Sequence, residues 1–108
     1  IVWQKAIYFV TLIYKTTNKF PKSEIFGLAN QMNRVAVSIA SNLAEGSYRG
    51  SKKDFRYFLL IAYGSCAEIE TQIEIAKSLK FMYNIDEIEE LLLTIEKMLS
   101  KLIKSYKN

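Results

Sequence analysis

At 108 residues the chain has room for one domain and one core, and with half its residues hydrophobic and 24% charged it is not a disordered chain. A formal charge of +4 with a pI near 9.2 biases it mildly toward acidic partners, well short of a density that makes nucleic-acid binding obvious. The single cysteine, Cys66, excludes an internal disulfide framework, and no stretch is both long and apolar enough to cross a bilayer. With no signal-peptide pattern at its start, the expected compartment is the cytoplasm.

The first periodic segment predicts a helix over about 2–17, with Trp3, Ala6, Ile7, Val10, Ile13 and Tyr14 on its apolar side. Residues 18–22 break it, and Pro21 with Ser23 sets up the next start. A second helix is expected over about 23–46, and its stretch 25–44 carries a single charge, Arg34. Leu28, Ala29, Met32, Val35, Ala36, Ile39, Ala40 and Leu43 make a wide apolar arc. The remaining arc holds Asn30, Gln31, Arg34, Ser38, Ser41, Asn42 and Glu45. A helix washed by water displays Lys and Glu outward. This one offers amides, hydroxyls and an Arg34/Glu45 pair eleven residues apart on one side, which suits contact with another helix or another subunit. An assembly is therefore expected.

Gly46-Ser47-Tyr48-Arg49-Gly50 reads as a Gly-bracketed turn, and Ser51-Lys52-Lys53-Asp54 has the form of an N-cap with an acid three residues later. The third helix then runs over about 51–79, with Phe55, Phe58, Leu59, Ala62, Cys66, Ile69, Ile73 and Ala76 facing the core. Tyr57, Ile61, Gly64, Glu68 and Ile75 form a second stripe on a different side, which implies a second contact beyond the core. Gly64 in mid-helix costs about 1 kcal/mol against Ala. Either a neighbour comes close there or the glycine is simply tolerated. Residues 80–85 form the last joint, Asn84 or Asp86 is available as a cap, and a fourth helix spans about 85–106 with Ile88, Leu91, Leu92, Ile95, Leu99, Leu102 and Ile103 inward. Short joints between amphipathic helices favour antiparallel neighbours. The expected fold is all-α, an up-down-up-down four-helix bundle forming a single domain over 1–108.

The catalytic inventory is poor. No histidine is present, so Ser–His and Cys–His pairs are absent, and the chain is expected not to be an enzyme. A di-metal bundle needs Glu-x-x-His motifs, and a zinc site needs more Cys or His ligands than one Cys and no His supply, so neither a metal nor another cofactor is expected. Cys66 reads as a small buried hydrophobe.

Three polar groups remain. Arg34 with Glu45 and Glu68 reads as a structural ion-pair network, joined on the same helix face by Ser38 and Asn42, that fixes helix register or subunit packing. A sharper reading makes Arg34 a ligand contact. Arg49, Lys52, Lys53 and Arg56 put four cations in eight residues at the turn before the third helix, interleaved with Tyr48, Phe55 and Tyr57. Such a cluster can hold a phosphate backbone, although a solvated turn is the simpler account and Phe55 is better explained as core. Lys97, Lys101, Lys104 and Lys107 form a stripe near the last helix's C-terminus, where cations favour the macrodipole.

Taken together, Val2-Trp3-Gln4-Lys5-Ala6, Phe20-Pro21, Phe26-Gly27-Leu28, Gln31, Arg34-Val35-Ala36-Val37-Ser38-Ile39, Ser41-Asn42-Leu43-Ala44-Glu45-Gly46 and Ser51-Lys52-Lys53-Asp54-Phe55 make one pattern. It continues through Phe58-Leu59, Ala62, Gly64-Ser65, Ala67-Glu68, Glu70-Thr71-Gln72 and Ala76. Nearly the whole chain resembles, in order, the bacterial four-helix-bundle family of 23S rRNA intervening-sequence proteins, also labelled S23 ribosomal proteins. Members more often have Pro where this chain has Ala40 and an aliphatic residue where it has Cys66. The resemblance implies a ring, typically a homopentamer, of poorly defined molecular function. A related protein, the accessory variability determinant of diversity-generating retroelements, is a basic pentameric ring that binds nucleic acid and a reverse transcriptase. Fold likeness alone does not transfer that role. Two expectations follow: a non-enzymatic accessory of RNA or DNA whose oligomer pools modest charge, about +20 over five copies, or a self-assembling scaffold for protein partners that binds no nucleic acid.

Overall fold

Apolar residues recurring every three or four positions, with few glycines and one proline to interrupt them, fold into four α-helices. The computed structural model describes residues 1–107; Asn108, the last position of the expected domain, lies outside them. The helices are α1 (Val2–Thr17), α2 (Leu28–Tyr48), α3 (Lys52–Ser78) and α4 (Asp86–Ser105), and no strand occurs among the described residues. Each packs on its neighbours in sequence, and α4 returns to α1, so the four close into an antiparallel bundle about 45 Å long. One end holds the start of α1, the α2–α3 turn and the end of α4. The other holds the α1–α2 joint and the α3–α4 loop.

The core is built of Phe9, Ile13, Met32, Ile39, Leu59, Ile69, Ile73, Ile95 and Leu99, all fully buried. Burial of each such side chain contributes roughly 1.5–3 kcal/mol. Along the seam between α2 and α3, small residues (Ala36, Ala40, Ala62, Gly46) let the helices approach closely. At Gly46 an added Cβ would sit 2.8 Å from Phe58 Cβ and 3.1 Å from Phe55 Cδ1. The glycine is therefore a helix-contact residue inside α2. The expected Gly-bracketed turn is correspondingly shorter, and the positive φ it needs (81°) falls at Gly50 alone.

Three other expectations are corrected. The second helix begins at Leu28, not Ser23, because the chain first makes a 3-10 turn at Lys22–Glu24 and then exposes Ile25 and Phe26. Gly27, at φ −107° and ψ −120°, is non-helical, and Glu24 Oε1 accepts the Leu28 N–H at 3.1 Å in the manner of a cap. On α1 the core side is Ala6, Phe9 and Ile13, with Thr17 at its end donating to Asn33 Oδ1 of α2 at 2.8 Å. Trp3, Ile7 and Tyr14 remain nearly half exposed, since one helix cannot turn both apolar arcs inward. Neither Asn84 nor Asp86 caps α4: Ile85 holds the N-cap position, and Asn84 instead takes a positive φ of 56° in the loop. The Ser51 cap forms as the sequence implies, with Ser51 Oγ accepting the Asp54 N–H at 3.0 Å.

Candidate nucleic-acid interface

Antiparallel topology brings the two cation groups of the sequence to one end of the bundle. Arg56 Nε of α3 donates to the Ile103 carbonyl of α4 at 3.3 Å, and Phe55 meets Tyr106 edge to face at 5.0 Å between centroids. Lys52 and Lys53 therefore share an end with Lys101, Lys104 and Lys107, all five exposed. Cutting each helix at its midpoint leaves nine cations and three acids in this half, against six cations and eight acids in the other. The modest net +4 thus conceals about +6 at one end and about −2 at the other.

The four clustered cations at the α2–α3 turn are not equivalent. Arg49 pairs with Glu45 at 2.8 Å one turn back, a hydrogen bond that raises its pKa, and lies over the Phe58 ring at 5.1 Å. Arg56 is half-buried against Ile103. Lys52 and Lys53 are exposed, and no carboxylate lies within 4 Å of either among the described residues. Beside them stands Tyr48, 90% exposed, with Tyr57 also outward. A shallow hollow of about 320 Å³ runs between Ser47, Ser51, Lys52, Phe55 and Tyr106. Tyr57 packs edge to face on Phe58 at 5.2 Å between centroids, which leaves Tyr48 as the unstacked ring. Cations beside such a ring suit a phosphate backbone and its bases.

The polar network expected from Arg34, Glu45 and Glu68 does not form within one chain. Eleven residues separate Arg34 from Glu45, roughly 16 Å along a helix, and Arg49 on the same face reaches Glu45 first. Arg34 and Glu68 are exposed and make no ion pair among the described residues. Ser38 and Asn42 are engaged locally: Ser38 Oγ donates to the Val35 carbonyl at 2.6 Å and shares a hydrogen bond with Ser65 Oγ of α3 at 2.8 Å, while Asn42 Nδ2 donates to the Ser38 carbonyl at 2.7 Å. Ser65 escaped the sequence reading, although its spacing from Ala62, Ile69 and Gln72 marks it as inward. Further along α3, the buried Gln72 Oε1 has no hydrogen-bond partner among the described residues.

The second stripe of α3 faces outward, with Tyr57, Ile61 and Ile75 exposed, and a Cβ at Gly64 would meet nothing within 4 Å. Trp3, Ile7 and Tyr14 of α1 and Val37 of α2 are likewise exposed. The α1–α2–α3 wall thus displays apolar stripes flanking the polar arc of α2.

Paired and partly buried charges mark the α3–α4 seam. Lys77 Nζ bridges Glu89 of α4 at 3.2 Å and Glu74 at 3.5 Å, which raises its pKa. Burial, reinforced by the charge of Glu70, pushes the Glu96 carboxyl up to about 7. Burial also pushes the Cys66 thiol up to about 12, so it is an inert core group rather than a nucleophile. No cluster of three Cys, Asp or Glu side chains able to hold a metal forms among the described residues, and no described helix is long and apolar enough to cross a membrane.

No curated protein matches the chain. A crystal structure of a protein with unknown function from the S23 ribosomal protein family of Bacteroides thetaiotaomicron VPI-5482 superposes with a TM-score of 0.85 at 26% identity, covering 96% of this chain and 99% of that one. The family model of the 23S rRNA-intervening sequence protein matches residues 1–103. With the fold and nearly the full length in agreement, the chain belongs to the 23S rRNA-intervening sequence protein family.

Proposed function

We propose that this protein is a non-enzymatic cytoplasmic accessory that self-assembles and uses its basic end to hold the phosphate backbone of a nucleic acid. The observation that carries the reading is the convergence of Lys52 and Lys53 with Lys101, Lys104 and Lys107 at one end, beside the exposed ring of Tyr48. One chain offers few phosphate contacts. A ring of the kind its family resemblance implies, a homopentamer, multiplies them, and multivalency turns weak single contacts into useful affinity. RNA is the first partner to test, given the family's name.

The assembly face in this reading is the outer wall of α1–α2–α3. Arg34 and Glu68, each exposed and without an ionic partner among the described residues, pair between copies, and Gly64 admits the neighbouring subunit closely. Arg34→Ala then shifts the sedimentation profile toward smaller species, and an unchanged profile contradicts this face.

Light-scattering mass, alone and with mixed RNA and DNA at low and high salt, tests the whole. An oligomer that binds nucleic acid and releases it as salt rises supports the proposal. For single strands, Lys52→Ala with Lys53→Ala lowers the salt slope of log K by about 1.4 per chain engaged. An oligomer indifferent to nucleic acid at low salt leaves the scaffold reading, for which the exposed apolar stripes are the supporting observation.

A further inference from the structure

The end of the bundle opposite the basic one carries a cleft of about 480 Å³ between the C-terminal half of α1 and the α3–α4 loop. That volume falls in the range small-molecule sites occupy. Its floor is apolar: Met82, Ile85 and Ile88 are buried, and Leu12 packs against the core. Its rim is basic. Lys15 comes from α1, Lys19 from the turn after it and Lys80 from the loop, all three exposed. Among the described residues, none of the three has a carboxylate within 4 Å. The single acid in the lining, Glu87, already accepts a hydrogen bond from the Tyr8 hydroxyl at 2.7 Å.

The loop that closes the cleft has a defined shape. Lys80 and Asn84 take positive φ angles of 64° and 56°, the Phe81 N–H donates to the Ala76 carbonyl at 2.8 Å, and the Phe81 ring packs on Phe20 at 5.4 Å. Tyr83 stands at its rim, 76% exposed. Cations around an apolar floor are amphipathic as a set. An inorganic anion alone would leave the floor wet, and an uncharged apolar molecule would leave three ammoniums without an anion. Three flexible point charges also suit a phosphate dianion better than a single carboxylate.

We infer that this cleft binds an organic phosphate with a planar apolar body, the chemistry of a nucleoside monophosphate. The phosphate lies among Lys15, Lys19 and Lys80, and the planar body lies over the floor beside Tyr83. The inference is independent of nucleic-acid contact at the other end, because no residue is shared between the two.

Isothermal titration of the full chain at low salt with AMP, adenosine and inorganic phosphate tests it. AMP is expected to bind at one site per chain, with adenosine and phosphate each at least tenfold weaker. Lys15→Ala with Lys80→Ala lowers AMP affinity at least tenfold, while Lys52→Ala with Lys53→Ala at the basic end leaves it unchanged. These lysines are exposed, and a circular-dichroism melt confirms that the variants remain folded. A 5′-phosphorylated trinucleotide run alongside distinguishes the source: binding equal to AMP identifies a strand terminus, and exclusion identifies a free nucleotide. No heat from AMP, phosphate binding as tightly as AMP, or AMP binding that survives loss of Lys15 and Lys80 overturns the inference.

Discussion

The inner and outer sides of the α2–α3 pair are built on opposite terms. On the inner side, Gly46 is held against Phe58 and Phe55 so closely that one added carbon has no room, and Ser38 meets Ser65 across the seam. On the outer side, an added carbon at Gly64 meets nothing within 4 Å, Tyr57 and Ile61 stand exposed, and Arg34 and Glu68 have no ionic partner among the described residues. Both glycines interrupt long helices, yet only one has its reason inside the molecule. The difference teaches that the core accounts for one face of this helix pair and leaves the other to whatever binds it.

The largest perturbation that would break the inner side is Gly46→Val. Overpacking against a Phe58 Cβ that cannot swing away is expected to destabilise the chain by about 3 kcal/mol, read as a lower urea midpoint. Next comes Gln72→Met, which replaces a buried, unpartnered amide oxygen with an apolar side chain of similar length. A gain of about 1–2 kcal/mol is expected; a loss means that the oxygen has a partner the single chain does not supply. Gly64→Ala sharpens the comparison most directly. It adds about 1 kcal/mol of helix stability to an isolated chain, while any assembly packed against Gly64 weakens. Stability that rises while the sedimenting species shrink is the expected pair of results.

The smallest effect lies on the α3–α4 seam. The Glu96 carboxyl, raised to about 7 in the folded state, binds more protons there than in the unfolded chain between about pH 4.5 and 7. Its stabilising contribution is therefore complete in acid and lost as pH rises through 7. Because most of the group remains in water, the slope amounts to under about 1 kcal/mol. Glu96→Gln flattens it, making the variant more stable than the parent at pH 8 and equal to it at pH 4, as thermal melts across that range will show.

Most of the fold was legible in the sequence, because period 3.6 in α2, α3 and α4 leaves little choice of face. Where the apolar arc was too wide the reading slipped: α1 has enough large residues for two faces, and only Phe9, packed with Ile13 and Ala6, decides which is inward. The start of α2 slipped for a different reason, since Ile25 and Phe26 look like the beginning of a buried face but precede a non-helical Gly27. The clustering of cations at Arg49, Lys52, Lys53 and Arg56 was visible in one dimension. Their union with the α4 lysines was not, because it depends on the antiparallel return of the chain. Within one chain Arg34 does not reach Glu45: a shared helix face is not contact when three turns intervene and Arg49 lies one turn away.

The uneven charge along a body 45 Å long and 24 × 19 Å in its other extents makes the protein an electric dipole directed along its own axis. A polyanion approaching from any direction exerts a torque as well as a pull, turning the bundle until its lysine-rich end leads. In the proposed complex with a nucleic acid, the helices would then stand upright on the strand instead of lying along it, each copy would occupy little of its length, and the far end, with the Lys15–Lys19–Lys80 cleft, would project into solution.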